Sequence, residues 1–304
     1  RYMKHYKTIS EFHHAIGLPA PQHPLISVVD VSTVGHHAND EPMGMVFDFY
    51  SISVKRMENV KVKYGQHPFD FNEGIMSFMA PGQVFSIGVD NIDKVVKRSG
   101  WVIYMHPDFI WNTALAKGIK QYDFWDYSLH ESLFLSEKEE SIVATLINNI
   151  DMEYQSNIDQ FSKGIIVSHI EALLNYADRF YHRQFITREV VNYQILDRLE
   201  KILDDCFNSE DLLYKGLPSV EQIASSLNIS SKYLSSMLKL LTGQSTQQHI
   251  HDKLIEKAKE KLSTTDLSVS EIAYGLGFEH LQSFSKLFKT KTKQSPLEFR
   301  SSFK

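Results

Sequence analysis

Ser219-Val220-Glu221-Gln222-Ile223-Ala224-Ser225-Ser226-Leu227-Asn228-Ile229 recurs 49 residues later as Ser268-Val269-Ser270-Glu271-Ile272-Ala273-Tyr274-Gly275-Leu276-Gly277-Phe278. The offset becomes 50 after the next turn, where Leu234, Leu238 and Ser245 match Phe284, Phe288 and Ser295. Self-similarity at a fixed period marks one supersecondary unit used twice. Both copies open with a capping box, Ser219 with Gln222 and Ser268 with Glu271, in which side chains satisfy the orphan amides of a first helical turn. Ile223, Ala224 and Leu227 then form one helix face, as do Ile272, Ala273 and Leu276, and the small alanine lets a second helix cross closely. A turn is expected at Asn228 and at Gly277, both residue types that tolerate positive φ. A second helix follows from near Ser231 and near His280. This is the helix-turn-helix plan, whose second helix is presented to the DNA major groove. The units span 219–242 and 268–291.

Between them, Thr246 to Ser263 reads as one helix with Ile250, Leu254, Ala258 and Leu262 along a side. At 1.5 Å per residue it is about 26 Å long, which sets two recognition helices near one duplex turn apart. The charge is distributed to match. From Gly216 onward there are 12 Lys and Arg against 8 Asp and Glu, whereas the first 215 residues hold 20 against 29, within a chain of formal charge −5. A basic last third suits a polyanion, the alternative being chance clustering of surface charge.

The rest of the 304 residues has another character. Two domains are expected at this length, and 42% apolar with 23% charged residues excludes collagen-like, coiled-coil-only and disordered chains. Period-2 alternation predicts strands over Leu25–Ser32, Met45–Val54, Gly74–Phe78, Val84–Val89 and Trp101–His106, punctuated at Asp40-Glu41-Pro42, Gly65-Gln66-His67-Pro68, Pro81-Gly82 and Ser99-Gly100. Short strands closed by turns read as an antiparallel barrel or sandwich of roughly 80 residues. After Pro107 the period changes to that of amphipathic helices, over Phe109–Lys117, Glu137–Tyr154, Ile158–Arg183 and Val190–Phe207. Asp204 to Pro218 lacks a sustained apolar period and reads as a linker. No run reaches 18 apolar residues, the single Cys206 can form no internal disulfide, and Arg1 to Pro19 holds no apolar signal core. A soluble protein of a reducing cytoplasm is expected.

The C-terminal region resembles the AraC/XylS transcriptional regulators. The resemblance is carried by Ile272-Ala273-Tyr274-Gly275-Leu276-Gly277-Phe278, Ser283-Phe284-Ser285-Lys286-Leu287-Phe288-Lys289 and Ser295-Pro296-Leu297-Glu298-Phe299-Arg300, in order over residues 217–304. The first copy matches more loosely, through Tyr233-Leu234-Ser235 and Thr242-Gly243-Gln244-Ser245. One departure is Lys293, where the family usually has a glycine that ends the recognition helix. The resemblance implies that Lys232, Ser235, Ser236 and Lys239 face outward from the first recognition helix, and Leu281, Gln282, Ser285, Lys286 and Lys289 from the second. Gln282 suits adenine, Lys286 guanine and Leu281 a thymine methyl, while Lys239 and Lys289 are placed for phosphate. For the N-terminal part the resemblance is architectural: a cupin-like β-barrel followed by helices that dimerise.

Barrels of that kind often hold a metal through a His-x-His pair. The one instance, His249-Ile250-His251, falls on a helix, where residues two apart splay to different sides; His36 and His37, being adjacent, would face opposite ways on a strand. Cys206 lies beside Asp204 and Asp205, whose charges would raise a thiol pKa. No catalytic residues, metal or cofactor are expected. A barrel would instead hold a small effector, with Phe47, Phe49, Phe78, Phe85, Trp101 and Tyr104 as lining candidates or ordinary core.

The expectation is an α+β chain: an antiparallel cupin-like β-barrel with following helices over 1–207 for effector binding and dimerisation, a linker over 208–217, and an all-α double helix-turn-helix domain over 218–304. It describes a cytoplasmic transcription regulator whose partners are double-stranded promoter DNA, a small-molecule effector, a second copy of the chain and RNA polymerase, with no membrane involved. The alternative is a metal-dependent cupin-type enzyme fused to a DNA-binding tail.

Overall fold

The computed structural model describes the backbone of residues 3–34, 44–57, 61–64, 67–70, 74–86, 98–156, 159–209 and 212–303. Side chains at 57, 61–64, 67–70, 85–86, 98, 189 and 190 fall outside that description. The chain forms two compact units, Arg1–Gln184 and Phe185–Lys304.

The first unit mixes sheet and helix. Its elements run β1 (Met3–Tyr6), α1 (Ile9–Ala15), β2 (Ile26–Asp30), β3 (Gly44–Phe47), β4 (Tyr50–Met57), β5 (Lys61–Tyr64), β6 (His67–Asp70), β7 (Gly74–Met79), β8 (Val84–Ser86), β9 (Arg98–Met105), α2 (Ala114–Gly118), β10 (Leu133–Leu135), α3 (Glu137–Gln155) and α4 (Ser162–Thr187). An antiparallel sheet of five strands has the order β10-β7-β4-β9-β2, a second has the order β1-β3-β8 with β1 and β3 parallel, and β5 and β6 form a hairpin. A closed barrel is therefore not what the described residues form. Closure needs an unbroken hydrogen-bond ladder around the ring, and the run Met45–Val54, read above as one strand, is cut by a bend at Asp48 and Phe49. Its halves go to different sheets, as Asp48 N donates to Tyr6 O at 3.1 Å.

Between those two sheets lies a core of Tyr6, Ile9, Phe12, Val29, Phe47, Phe49, Val102 and Tyr104. Helix α1, held at its start by a Thr8 and Glu11 capping box, drives Phe12 into it. The other face of the five-stranded sheet is helical: Phe78 packs on Phe124 at 4.2 Å between ring centres, and Phe124 stacks on Tyr181 of α4 at 5.6 Å. The helix expected over Phe109–Lys117 is broken by Asn112, at φ +63°, and only α2 is α-helical there.

The second unit is entirely helical among the described residues: α5 (Glu189–Asn208), α6 (Leu212–Lys215), α7 (Val220–Leu227), α8 (Ser231–Thr242), α9 (Thr246–Thr264), α10 (Val269–Gly275), α11 (Leu281–Thr292) and α12 (Pro296–Ser301). Helix α5 packs on α7 and α9, burying Leu199, Leu203 and Phe207. Lys253 Nζ pairs with Asp204 at 2.9 Å. Helix α5 is thus grouped with the helical unit that begins at Phe185, and the stretch expected as a linker contains α6, whose Leu212 is buried and which packs on α10. An amphipathic stripe tells that α5 is covered, not by what.

Candidate nucleic-acid interface

Both copies of the repeat begin as their sequences demand. Ser219 Oγ accepts from Gln222 N at 3.2 Å while Gln222 Oε1 accepts from Ser219 N at 2.8 Å. The corresponding pair is Ser268 Oγ with Glu271 N at 3.1 Å and Glu271 Oε2 with Ser268 N at 2.7 Å. Two amides at each helix start are satisfied in this way. The Glu271 carboxyl is held below its ordinary pKa by the Ser268 backbone amide first and the Ser268 hydroxyl second. Ile223, Ala224, Leu227, Ile272, Ala273 and Leu276 are all buried. The turns follow with Asn228 at φ +57° and Gly277 at φ +85°, the left-handed conformation expected of both.

Helix α8 is capped by Ser230, whose Oγ accepts from Tyr233 N at 3.2 Å, and α8 buries Tyr233, Leu234, Met237 and Leu238. Helix α11 buries Phe284 and Phe288, with Phe278 at 5.4 Å and Phe299 at 5.6 Å filling either end of that row. Arg300 closes the unit by donating to the carbonyls of Leu262 and Leu267, at 3.3 and 2.6 Å. Helix α9 buries Ile250, Leu254, Ala258 and Leu262 as its spacing requires. Its 19 residues span about 28 Å.

The buried rows define what faces outward. On α11, Gln282, Lys286 and Lys289 are exposed and, at spacings of four and three, share the face opposite Phe284 and Phe288. Leu281 and Ser285 are half-buried on the flank of that helix. On α8, Lys232 and Lys239 are exposed and Ser236 lies half-buried between them. Ser235 differs: its hydroxyl is 3.1 Å from Thr246 Oγ1, at the start of α9, and so is engaged inside the unit. Ser283 and Thr290 are exposed beside the outward face of α11 and were not singled out from sequence. Their spacing from Lys286, three before and four after, was the available signal. Lys293 ends α11 at φ +66°, the strained geometry for which a glycine is the usual residue.

The six aromatic residues proposed around an effector do not share one space. Phe47, Phe49 and Tyr104 meet in the inter-sheet core, with Phe47 stacked on Phe49 at 5.0 Å and Tyr104 edge-on to Phe12 at 5.1 Å. Phe78 lies on the helical face, and Trp101, three residues from Tyr104 on one strand, must point away from it. The Phe85 side chain lies outside the described residues, as do His36 and His37. A surface depression of about 660 Å³ is lined by residues including Lys4, Lys7, Glu11 and His14 and by none of the six. On α9, His249 Nε2 lies 2.9 Å from Thr242 Oγ1 and His251 Nε2 lies 2.9 Å from Gln247 Nε2, so the two rings have separate partners. The Cys206 thiol is pushed up by burial first and by Asp205 second, against an opposing effect of Lys215. No described helix is long and apolar enough to cross a membrane.

Comparison with a family model falls on the same region. A family model described as "Helix-turn-helix domain" matches residues 223–302. The chain is 30% identical over 163 residues to the HTH-type transcriptional regulator YfiF of Bacillus subtilis, covering 52% of this chain and 46% of that one. It is 34% identical over 86 residues to the xylose operon regulatory protein of Escherichia coli K12, covering 28% of this chain and 22% of that one. Among solved structures it is similar to the C-terminal domain of AraT, a response regulator from Geobacillus stearothermophilus, at 31% identity and TM-score 0.32, over 36% of this chain and 84% of that one. The chain spans about half or less of the length of these curated relatives.

Proposed function

This chain belongs, through its C-terminal residues 217–304, to the AraC/XylS family of transcription regulators, and from that premise we propose that it is a sequence-specific DNA-binding regulator. The observation that carries the reading is the pair of outward faces on α8 and α11, one per repeat, each polar and each opposite a buried apolar row. Gln282 offers both a donor and an acceptor to adenine, Lys286 a donor to guanine, and Lys239 and Lys289 charge to phosphate. Leu281 and Ser285 read from the flank, and Lys232 and Ser236 complete the first helix. Ser235 has the smallest part, since its hydroxyl is already bonded to Thr246.

The first unit supplies control. We read its two facing sheets as an open relative of the cupin barrel, and place a small effector on the inner sheet face, where Ser51 lies opposite Tyr104, Ser53 lies opposite Val102, and the Tyr104 ring meets Phe12 and Phe49. Phe161, just before α4, and Ile165, in its first turn, are exposed four residues apart and are the apolar pair through which a second copy docks in this reading. RNA polymerase is the further partner and the cytoplasm the compartment. Selection of bound sequences from a randomised DNA pool by the full chain tests the core proposal. Enrichment of a bipartite motif is expected, and recovery of unenriched sequence would overturn it.

A further inference from the structure

One carboxylate on α9 is bonded to both halves of the repeat. Asp252 Oδ2 accepts from Gln244 Nε2 at 3.0 Å, and Gln244 sits in the turn just after α8. Asp252 Oδ1 accepts from Lys291 Nζ at 2.6 Å, and Lys291 lies in the last turn of α11. The side chains of Asp252 and Lys291 are 42% and 28% exposed, so the pair contributes little to stability as an ion pair. Its effect is geometric. Helix α7 packs on α8 and α10 on α11, each within its own copy, while α8, α10 and α11 all pack on α9. A shift of one recognition helix relative to the other must therefore stretch one of the two bonds to Asp252. Neither Asp252 nor Lys291 belongs to the outward faces, and a carboxylate is repelled by phosphate, so this cluster is not itself a DNA contact.

We infer that Asp252 is a positioning residue that fixes the offset between α8 and α11 and thereby sets the half-site spacing that the protein accepts. The inference rests on the reading of those two helices as DNA readers. One added base pair moves a half-site by about 3.4 Å along the duplex and turns it by roughly a tenth of a revolution. Rigid coupling penalises that displacement, whereas loose coupling tolerates it.

The test uses the full chain and a bipartite site obtained by selection, with the spacing between halves shortened or lengthened by one base pair. The unsubstituted protein is expected to lose at least about tenfold in affinity on either change. Asp252→Ala should narrow that gap to less than about threefold while keeping single-base preferences within each half, and Lys291→Ala combined with it should add nothing further. An undiminished spacing gap in Asp252→Ala, or equal weakening at all spacings, would overturn the inference. A second readout needs no DNA. Spin labels at Leu240→Cys and Thr290→Cys, in a Cys206→Ser background, should give a distance distribution that broadens with Asp252→Ala, and an unchanged distribution contradicts the clamp. Failure of the unsubstituted chain to select any sequence would instead count against the DNA-reading proposal, and the label distances then decide on Asp252 alone.

Discussion

Gly277 and Gly216 approach backbone to backbone: a Cβ added to Gly277 would lie 3.0 Å from the Gly216 carbonyl carbon and 3.1 Å from Leu217 N. Gly277 is also at φ +85°, so the second turn excludes a side chain on two independent grounds. Gly277→Ala should cost about 2 kcal/mol or more, the left-handed conformation accounting for roughly 1–2 of it. Asn228→Ala, at φ +57°, should cost about 1 kcal/mol through the left-handed conformation. Denaturant unfolding of the two variants compares them, and equal costs would show that the contact with Gly216 is relaxed at no expense.

Lys293 gives the opposite case. It is a non-glycine residue at φ +66° closing α11, and glycine there removes the strain at the expense of some unfolded-state entropy. Lys293→Gly should raise stability by about 0.5–1 kcal/mol. A loss of stability would mean that the Lys293 side chain, which donates to Thr290 O at 3.2 Å, outweighs the backbone.

Glu271 ties stability to acid. Its folded-state pKa lies below the ordinary 4.5 because Ser268 bonds the ionised form. The stabilisation is fully present above the unfolded-state value and is lost as pH falls through the lower folded value. Glu271→Gln should therefore flatten the acid side of a stability-against-pH profile below about pH 4.5 and leave the neutral side nearly unchanged. A profile identical to that of the parent in the acid range would contradict the assignment.

The position of α5 makes a prediction about fragments. Residues 185–304 should be more stable than 217–304 by at least about 3 kcal/mol, since Leu199, Leu203 and Phe207 are buried in the longer piece. Thermal melts of both settle it, and coincident curves would return α5 to the first unit.

The difference between what could and could not be read from sequence is largely one of distance along the chain. The capping boxes, the two turns and the rows through Leu234, Leu238, Phe284 and Phe288 are relations among residues three, four or seven apart, and periodicity reports them directly. Strands β1 and β10, of four and three residues, carry too little alternation to be seen, and their partners lie more than 40 residues away. The bend at Asp48 that divides one apparent strand between two sheets has no glycine or proline to mark it. The lining candidates divide between faces for a simpler reason. Trp101 and Tyr104 are three apart on one strand, so parity alone separates them. Ser235 looked like its neighbour Ser236 because both are small and polar, and only the start of α9 opposite it distinguishes the two.

In the proposed function α11 reads bases through Gln282 and Lys286 and touches phosphate through Lys289. Titration of the full chain against its selected site and a set of singly substituted sites, at two salt concentrations, tests it most directly. Gln282→Ala and Lys286→Ala should each cost about 1–3 kcal/mol on the preferred site and relax the preference at one position. Lys289→Ala should weaken all sites alike and reduce the salt slope by about one. Uniform loss in all three variants, with base preference intact, would place the reading surface on other residues.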